Sequence, residues 1–132
     1  MIYLLDTNIC IYIIKKKPLS VINKLRKLDI SNVAISSITL SEMEYGISKS
    51  SSKERNKLAL TEFLAPIEIL PYDDNAANYY GDIRSNLEKS GQTIGPLDTL
   101  IAAHTLALNA VLVTNNMNEF SRVKNLVVEN WV

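Results

Sequence analysis

The chain has 132 residues, with 14 Lys/Arg against 14 Asp/Glu, one histidine, one cysteine and 47% hydrophobic residues. That length and apolar fraction suit one globular domain spanning residues 1–132 and exclude a disordered or collagen-like chain. No apolar run reaches the ~18 residues of a membrane span, MIYLLDTN lacks a leader's basic start, and a lone cysteine excludes an internal disulfide, so a soluble cytoplasmic protein is expected.

Residues 2–5, IYLL, have the character of a short buried strand, and a helix is expected from about Thr7 to Lys15. PLSVINKLRKLD predicts a second helix, with Pro18 at its first position and Leu19, Ile22, Leu25 and Leu28 recurring on one side. VAIS at 33–36 is the next strand. ITLSEMEYGIS follows as a helix with Leu40, Met43 and Ile47 on one face. SSKERNKLALTEFLAP gives a helix with a serine cap, closing before Pro66. IEIL at 67–70 is a strand. A long helix then starts at an Asp73 cap and stops at Gly91. GPLDTLIAAHTLALNA is a helix with Pro96 in its first turn, VLVT at 111–114 a strand, and LVVENW a final strand. Strands alternating with helices predict a parallel sheet covered on both faces.

Ligands of open parallel sheets gather beyond the carboxyl ends of the strands. Asp6 follows the first strand, Glu42 lies one helical turn beyond VAIS, Asn115 and Asn116 follow VLVT, and Asp98 sits in the first turn of its helix. Each also has a plain structural reading. Asp6 or Thr7 can cap a helix, Thr39 and Glu42 fit a capping box, Asp98 favours the helix dipole, and Asp73 caps in the same way. Taken together, three carboxylates in one cleft repel one another unless a cation sits among them. Hard divalent cations take oxygen ligands of this kind.

The net charge of zero is unevenly spread: residues 1–57 hold ten basic and five acidic residues, and residues 58–132 hold four and nine. The basic half offers Lys15, Lys16, Lys17, Lys49, Lys53 and Arg55 as contacts for a polyanion. An acidic pocket beside a basic surface is what metal-dependent phosphodiester cleavage requires.

YLLDTN at the start, ITLSEMEYGI at 38–47, GPLDTLIAAH at 95–104 and LVTNNMNEFSRVKNLVVENW at 112–131 together resemble PIN-domain ribonucleases. More narrowly, they resemble the VapC-type toxins of bacterial toxin–antitoxin pairs, over nearly the whole chain and in the family's order. The resemblance implies a three-layer α/β/α sandwich with a short central parallel sheet. It implies Mg²⁺ or Mn²⁺ held by Asp6, Glu42 and Asp98, and endonucleolytic cleavage of RNA, with tRNA the frequent target. It implies a cognate VapB-type antitoxin lying across the toxin, homodimers, and hetero-oligomers with the antitoxin on operator DNA. One position departs from the pattern. Many relatives carry a fourth acid where this chain has Asn116, and Glu119, three residues on, is expected to supply the missing carboxylate. Asn116 also supports the alternative of a non-catalytic PIN-like binding module.

Two other classes with strand-end acids are disfavoured by the residues. A haloacid-dehalogenase phosphatase needs an acid where Asn8 stands, and a receiver domain needs a lysine after the late strand. His104, six residues beyond Asp98, falls about 120° away around the helix and is expected to pack rather than join the site. Glu119 pairing with Arg122 is the plain alternative to a role at the site. An apolar groove for a partner peptide is expected near the first, second and fourth helices, from Ile11, Tyr12, Ile14, Leu19, Ile22, Leu58 and Leu60.

Overall fold

The computed structural model describes residues 1–132. Its elements in order are β1 (Tyr3–Leu5), α1 (Thr7–Lys15), α2 (Leu19–Arg26), a 3₁₀ turn (Ile30–Asn32), β2 (Val33–Ser36), α3 (Ser37–Ser48), α4 (Lys53–Leu64), β3 (Glu68–Leu70), α5 (Asp74–Lys89), α6 (Pro96–Leu108), β4 (Val111–Val113), α7 (Met117–Phe120) and β5 (Val127–Glu129). The five strands form one sheet in the order β3-β2-β1-β4-β5, and every pairing is parallel.

The strands are short and apolar because both faces are covered. Alternation along each strand divides the core. Leu5, Val33, Ile35 and Val113 pack with Ile9 and Cys10 of α1, Val21 of α2, Met43 of α3 and Leu60 of α4. On the opposite face Leu112 packs with Ile83 and Leu87 of α5, Ile101 to Ala103 of α6, and Phe120. The result is the expected three-layer sandwich. Trp131 belongs to the first of these clusters, 2% exposed, with its ring 6.3 Å from that of Tyr3 and Nε1 donating to Glu129. Cys10 is wholly buried, and burial raises its thiol far above the ordinary value, so it is an inert apolar filler.

Two helix starts differ from the sequence expectation. Pro18 is the cap residue of α2 rather than its first helical residue, and Leu19 is 69% exposed while Val21 is buried. A strict three-residue repeat drifts around a helix of 3.6 residues per turn, so Leu19, Ile22, Leu25 and Leu28 cannot all face inward. Helix α3 begins at Ser37, because Ser36 at the end of β2 caps it by accepting from the Ile38 amide at 3.0 Å. Thr39 therefore sits inside the first turn with its hydroxyl buried and unpartnered, and the Thr39–Glu42 capping box does not form.

Sheet order places a topological switch between β1 and β4. The chain moves outward from β1 to β2 and β3, then returns to the other side of β1 for β4 and β5. Connections diverge there, and a crevice opens at the carboxyl ends of those two strands.

Candidate active site

Asp6 is the residue immediately after β1, at the switch. It is 8% exposed and held on both oxygens: Oδ1 accepts from the Thr7 amide and Oδ2 from the Thr114 hydroxyl, each at 2.9 Å. The Thr114 bond spans the mouth of the crevice, since Thr114 directly follows β4, and the Asp6 amide donates to the Val113 carbonyl at 2.9 Å. Capping and site position coincide here. Burial raises the Asp6 carboxyl above its ordinary value, against the two hydrogen bonds, which lower it.

Glu42 projects from α3 toward the same crevice. Its Oε1 accepts from the Thr7 hydroxyl at 3.2 Å, so Thr7 gives its amide to one candidate acid and its hydroxyl to another. Burial raises the Glu42 carboxyl, the Thr7 bond lowers it, and the charge of Asp6 raises it. Asp98 stands in the first turn of α6, where Pro96 starts the helix. Its carboxyl is pushed up to about 7, first by burial, then by a hydrogen bond shared with Glu119, then by the charges of Asp6, Glu119 and Glu42.

Helix α7 brings Glu119 to Asp98. No ion pair forms with Arg122, whose Nη1 donates instead to the Thr93 carbonyl at 3.0 Å. Asn116 is at the same place: its Nδ2 lies 3.5 Å from Asp98 Oδ2, at the limit of a hydrogen bond, and its amide donates to Thr114 Oγ1 at 3.0 Å. Asn115 donates to the Tyr12 hydroxyl at 3.2 Å and ties the loop to α1. Thr114 has no signal in the sequence beyond its position beside Asn115, and Thr7 and Tyr12, expected as a cap and as groove lining, are found bonding the candidate acids and Asn115.

His104 is not at the site. It is 1% exposed, with Nδ1 2.8 Å from Ser36 Oγ and its ring edge-on to Tyr72 at 5.5 Å. The basic candidates fall at two places on the exposed surface. Lys15, Lys16 and Lys17 end α1, with Lys15 beside Glu42 and Lys16 in the left-handed conformation of the C-cap. Lys49, Lys53 and Arg55 flank the α3–α4 turn, where Lys49 stacks over Tyr45 at 4.9 Å.

The donors around the crevice are all oxygens or amides. No three His, Cys, Asp or Glu side chains close on one point as they stand. The chemistry of the donor set is that of a hard cation, which takes oxygen ligands, uses one or two carboxylates directly and keeps several waters. The raised Asp98 carboxyl is a second sign of fit, since the charges that push it up are those a cation would offset. Asp6, Glu42 and Asp98, with Glu119 beside Asp98, are the residues able to hold such an ion.

A groove of about 380 Å³ opens from the site between α1, α3 and α4. Thr7 and Glu42 stand in its wall, Ile11, Ile14, Met43, Ile47 and Leu60 make it apolar, and Lys15 and Asn56 border it. The expected groove is therefore present with a different third wall: α3 takes the place of α2. Tyr12, Leu19, Ile22 and Leu58, expected to line it, lie outside: Leu19 and Leu58 are 69% and 60% exposed, and Tyr12 turns its hydroxyl to Asn115.

A parallel sheet in a three-layer sandwich, with acids gathered at its central switch, defines a PIN-type domain. The PIN domain family model matches residues 3–126. The chain is 52% identical over 132 residues to Ribonuclease VapC2 of Rickettsia felis, covering 99% of this chain and 98% of that protein. It is 43% identical over 129 residues to the tRNA(fMet)-specific endonuclease VapC of Shigella flexneri, covering 98% and 97%. The crystal structure of VapBC2 from Rickettsia felis bound to a DNA fragment from its promoter superposes with a TM-score of 0.94 at 50% identity, covering 100% of both chains. The chain belongs to the PIN-domain family and, within it, to the VapC ribonucleases.

Proposed function

We propose that this chain is the toxin of a VapBC-type pair, an endoribonuclease that cleaves RNA by attack of an activated water on a phosphodiester. The observation that carries the reading is the meeting of Asp6, Glu42, Asp98 and Glu119 at the carboxyl end of β1 and β4. A bound Mg²⁺ or Mn²⁺ supplies the acidity that activates water and offsets charge on the phosphodiester. The chain's own residues do the rest. Thr7 and Thr114 hold Asp6 in one orientation, Thr7 also fixes Glu42, and burial together with Glu119 raises the Asp98 carboxyl.

The substrate class follows the Shigella relative's name: tRNA. Lys15, Lys16 and Lys17 with Lys49, Lys53 and Arg55 are proposed to hold the phosphate backbone on either side of α1 and α3. The apolar groove from α1 to α4 is proposed to seat a segment of a cognate VapB-type antitoxin, with homodimers and with hetero-oligomers on operator DNA; the Rickettsia felis VapBC2 structure is bound to a DNA fragment from its promoter. No helix is long and apolar enough to cross a membrane, and a cytoplasmic site of action is proposed.

The test is cleavage of total tRNA by purified protein in Mg²⁺ or Mn²⁺. Discrete fragments are expected, lost in excess EDTA and lost in Asp98→Asn. Equal cleavage with EDTA would remove the metal from the reading. An intact tRNA pool under all conditions would favour a binding module instead.

A further inference from the structure

A second cleft, of about 290 Å³, lies between α5 and the segment leading into α6. It is separate from the groove between α1, α3 and α4. Arg84 and Tyr80 of α5 form one wall; Thr93, Ile94 and Pro96 form the other, with Thr99 at the base. Pro96 and Thr99 stand on the first turn of α6, the turn that also carries Asp98.

Arg84 is oriented rather than spent. Its Nη1 donates to the Tyr80 hydroxyl at 3.1 Å, and Nε stands 3.7 Å from Glu88 Oε2, with the side chain 60% exposed. A guanidinium has more N–H donors than these two contacts use, and the Nη2 pair faces no acceptor in the fold. Tyr80, accepting from Arg84, keeps its own proton free to donate. Residues 58–132 carry only four basic side chains against nine acids. One of those four, Arg122, is tied to the Thr93 carbonyl. An oriented, open cation in the acidic half is therefore placed for an anion. The cleft volume is at the small end of the ~300–1,000 Å³ typical of ligand sites, room for one base and its phosphate. Leu87, Ile94 and Pro96 give an apolar floor for the base.

We propose that this cleft is a nucleotide subsite: it takes one unpaired nucleotide adjoining the scissile bond, with its phosphate on Arg84 and its base over Ile94 and Pro96. Tyr80 is the positioning residue for the guanidinium. The inference rests on the ribonuclease reading above. It makes α5 and α6 a second wall of the RNA path, on the opposite side of Asp98 from the lysines of α1.

The test uses the full chain. Cleavage of total tRNA is compared for wild type, Arg84→Ala, Arg84→Lys, Tyr80→Phe and Lys124→Ala, the last removing an equal charge away from the cleft. Arg84→Ala is expected to raise KM about fivefold or more with kcat within about twofold, because uniform binding is lost. Arg84→Lys should recover part of the loss and Tyr80→Phe should show a smaller rise, while Lys124→Ala stays at wild type. Binding of a labelled single-stranded RNA 12-mer to Glu42→Gln, with and without Arg84→Ala, should show a salt dependence shallower by about one phosphate contact in the double variant. Wild-type cleavage with unchanged KM in Arg84→Ala overturns the subsite and leaves the ribonuclease reading standing. Absence of cleavage by the wild type overturns both. A change from dimer to monomer on light scattering of Arg84→Ala, with binding per protomer unchanged, would assign the cleft to contact between copies and overturn the proposal.

Discussion

Helix α6 carries two titratable groups six residues apart, Asp98 and His104, into two unlike surroundings. His104 is buried among hydrogen-bonding and aromatic partners, with the charge of Asp73 acting on it. Ser36 Oγ is 2.8 Å from Nδ1 and itself accepts from the Ile38 amide, the Pro71 carbonyl bonds the ring, and Tyr72 packs edge-on. With its hydrogen on Nε2 for Pro71, the ring accepts the Ser36 hydroxyl at Nδ1, and every polar atom in the set is satisfied. Burial holds His104 below its ordinary value. Asp98 is half-buried among Asp6, Glu42 and Glu119, and its carboxyl is driven up to about 7. The first cluster has closed its valences on the fold, whereas the second keeps them open and stores repulsion. Polar groups that serve architecture end in satisfied pairs; groups that await a ligand do not.

The sharpest way to break this contrast is charge removal at the open cluster. Asp98→Asn preserves shape, and cleavage is expected to fall by about a thousandfold, within the span of effects for groups in direct catalytic use. Asp6→Asn and Glu42→Gln should act alike. Folding should survive in all three, and in metal-free buffer near pH 7 each variant should melt at or above the wild type. A thousandfold loss accompanied by unfolding would mean that the acids are structural. Full activity in Asp98→Asn would remove it from the site.

The same operation at the closed cluster should give the reverse result. Ser36→Ala leaves His104 Nδ1 and the Ile38 amide without a partner and should cost about 1–3 kcal/mol of stability. The Mg²⁺ concentration for half-maximal cleavage should not move. A shifted metal titration in Ser36→Ala would show that the two clusters are one functional unit.

These clusters also mark how far the sequence was legible. The three acids were visible because strand ends can be counted from apolar runs, and the loss of an acid at Asn116 was visible once the segments matched a family. The groups that hold the acids were not. Thr114 and Asp6 are 108 residues apart, and Ser36 and His104 are 68 apart. Each pair exists only because parallel strands bring their ends together, and no local pattern encodes which hydroxyl arrives. The failed capping box has the same origin. Thr39 and Glu42 have the right spacing, but Ser36 ends β2 three residues earlier and takes the cap, and Glu42 turns to Thr7. The groove was assigned to α2 in place of α3 because apolar periodicity shows that a face is apolar, not which neighbour covers it.

A smaller effect is expected at the edge of the open cluster, where Glu119 and Asn116 meet Asp98. Glu119 stands where it shares a hydrogen bond with Asp98, and Asn116 is 3.5 Å from the same carboxylate. Glu119→Gln should raise the Mg²⁺ requirement for half-maximal cleavage about fivefold, equivalent to about 1 kcal/mol, and Asn116→Asp should partly restore it. An unmoved titration reduces the site to Asp6, Glu42 and Asp98.

The smallest effect is one of sign. In metal-free protein Asp98 titrates at about 7, well above its unfolded value of 3.8. Between those values the folded state holds more protons than the unfolded state, so this group's contribution falls as pH rises through the window. His104 runs the other way. Its folded pKa is below 6.5, so the unfolded state binds the proton first and stability is lost as pH falls below that value. Asp98 is partly exposed, and solvent screening keeps its part modest. The difference in melting temperature between Asp98→Asn and wild type isolates it: the variant should gain on the wild type from pH 5 to pH 8 without metal. Saturating Mn²⁺ should reverse that gain, because only the wild type retains the carboxylate that an ion stabilises through mass action. A difference that is flat with pH and indifferent to Mn²⁺ would mean that Asp98 is an ordinary solvated carboxylate and that α6 carries one special environment, at His104, rather than two.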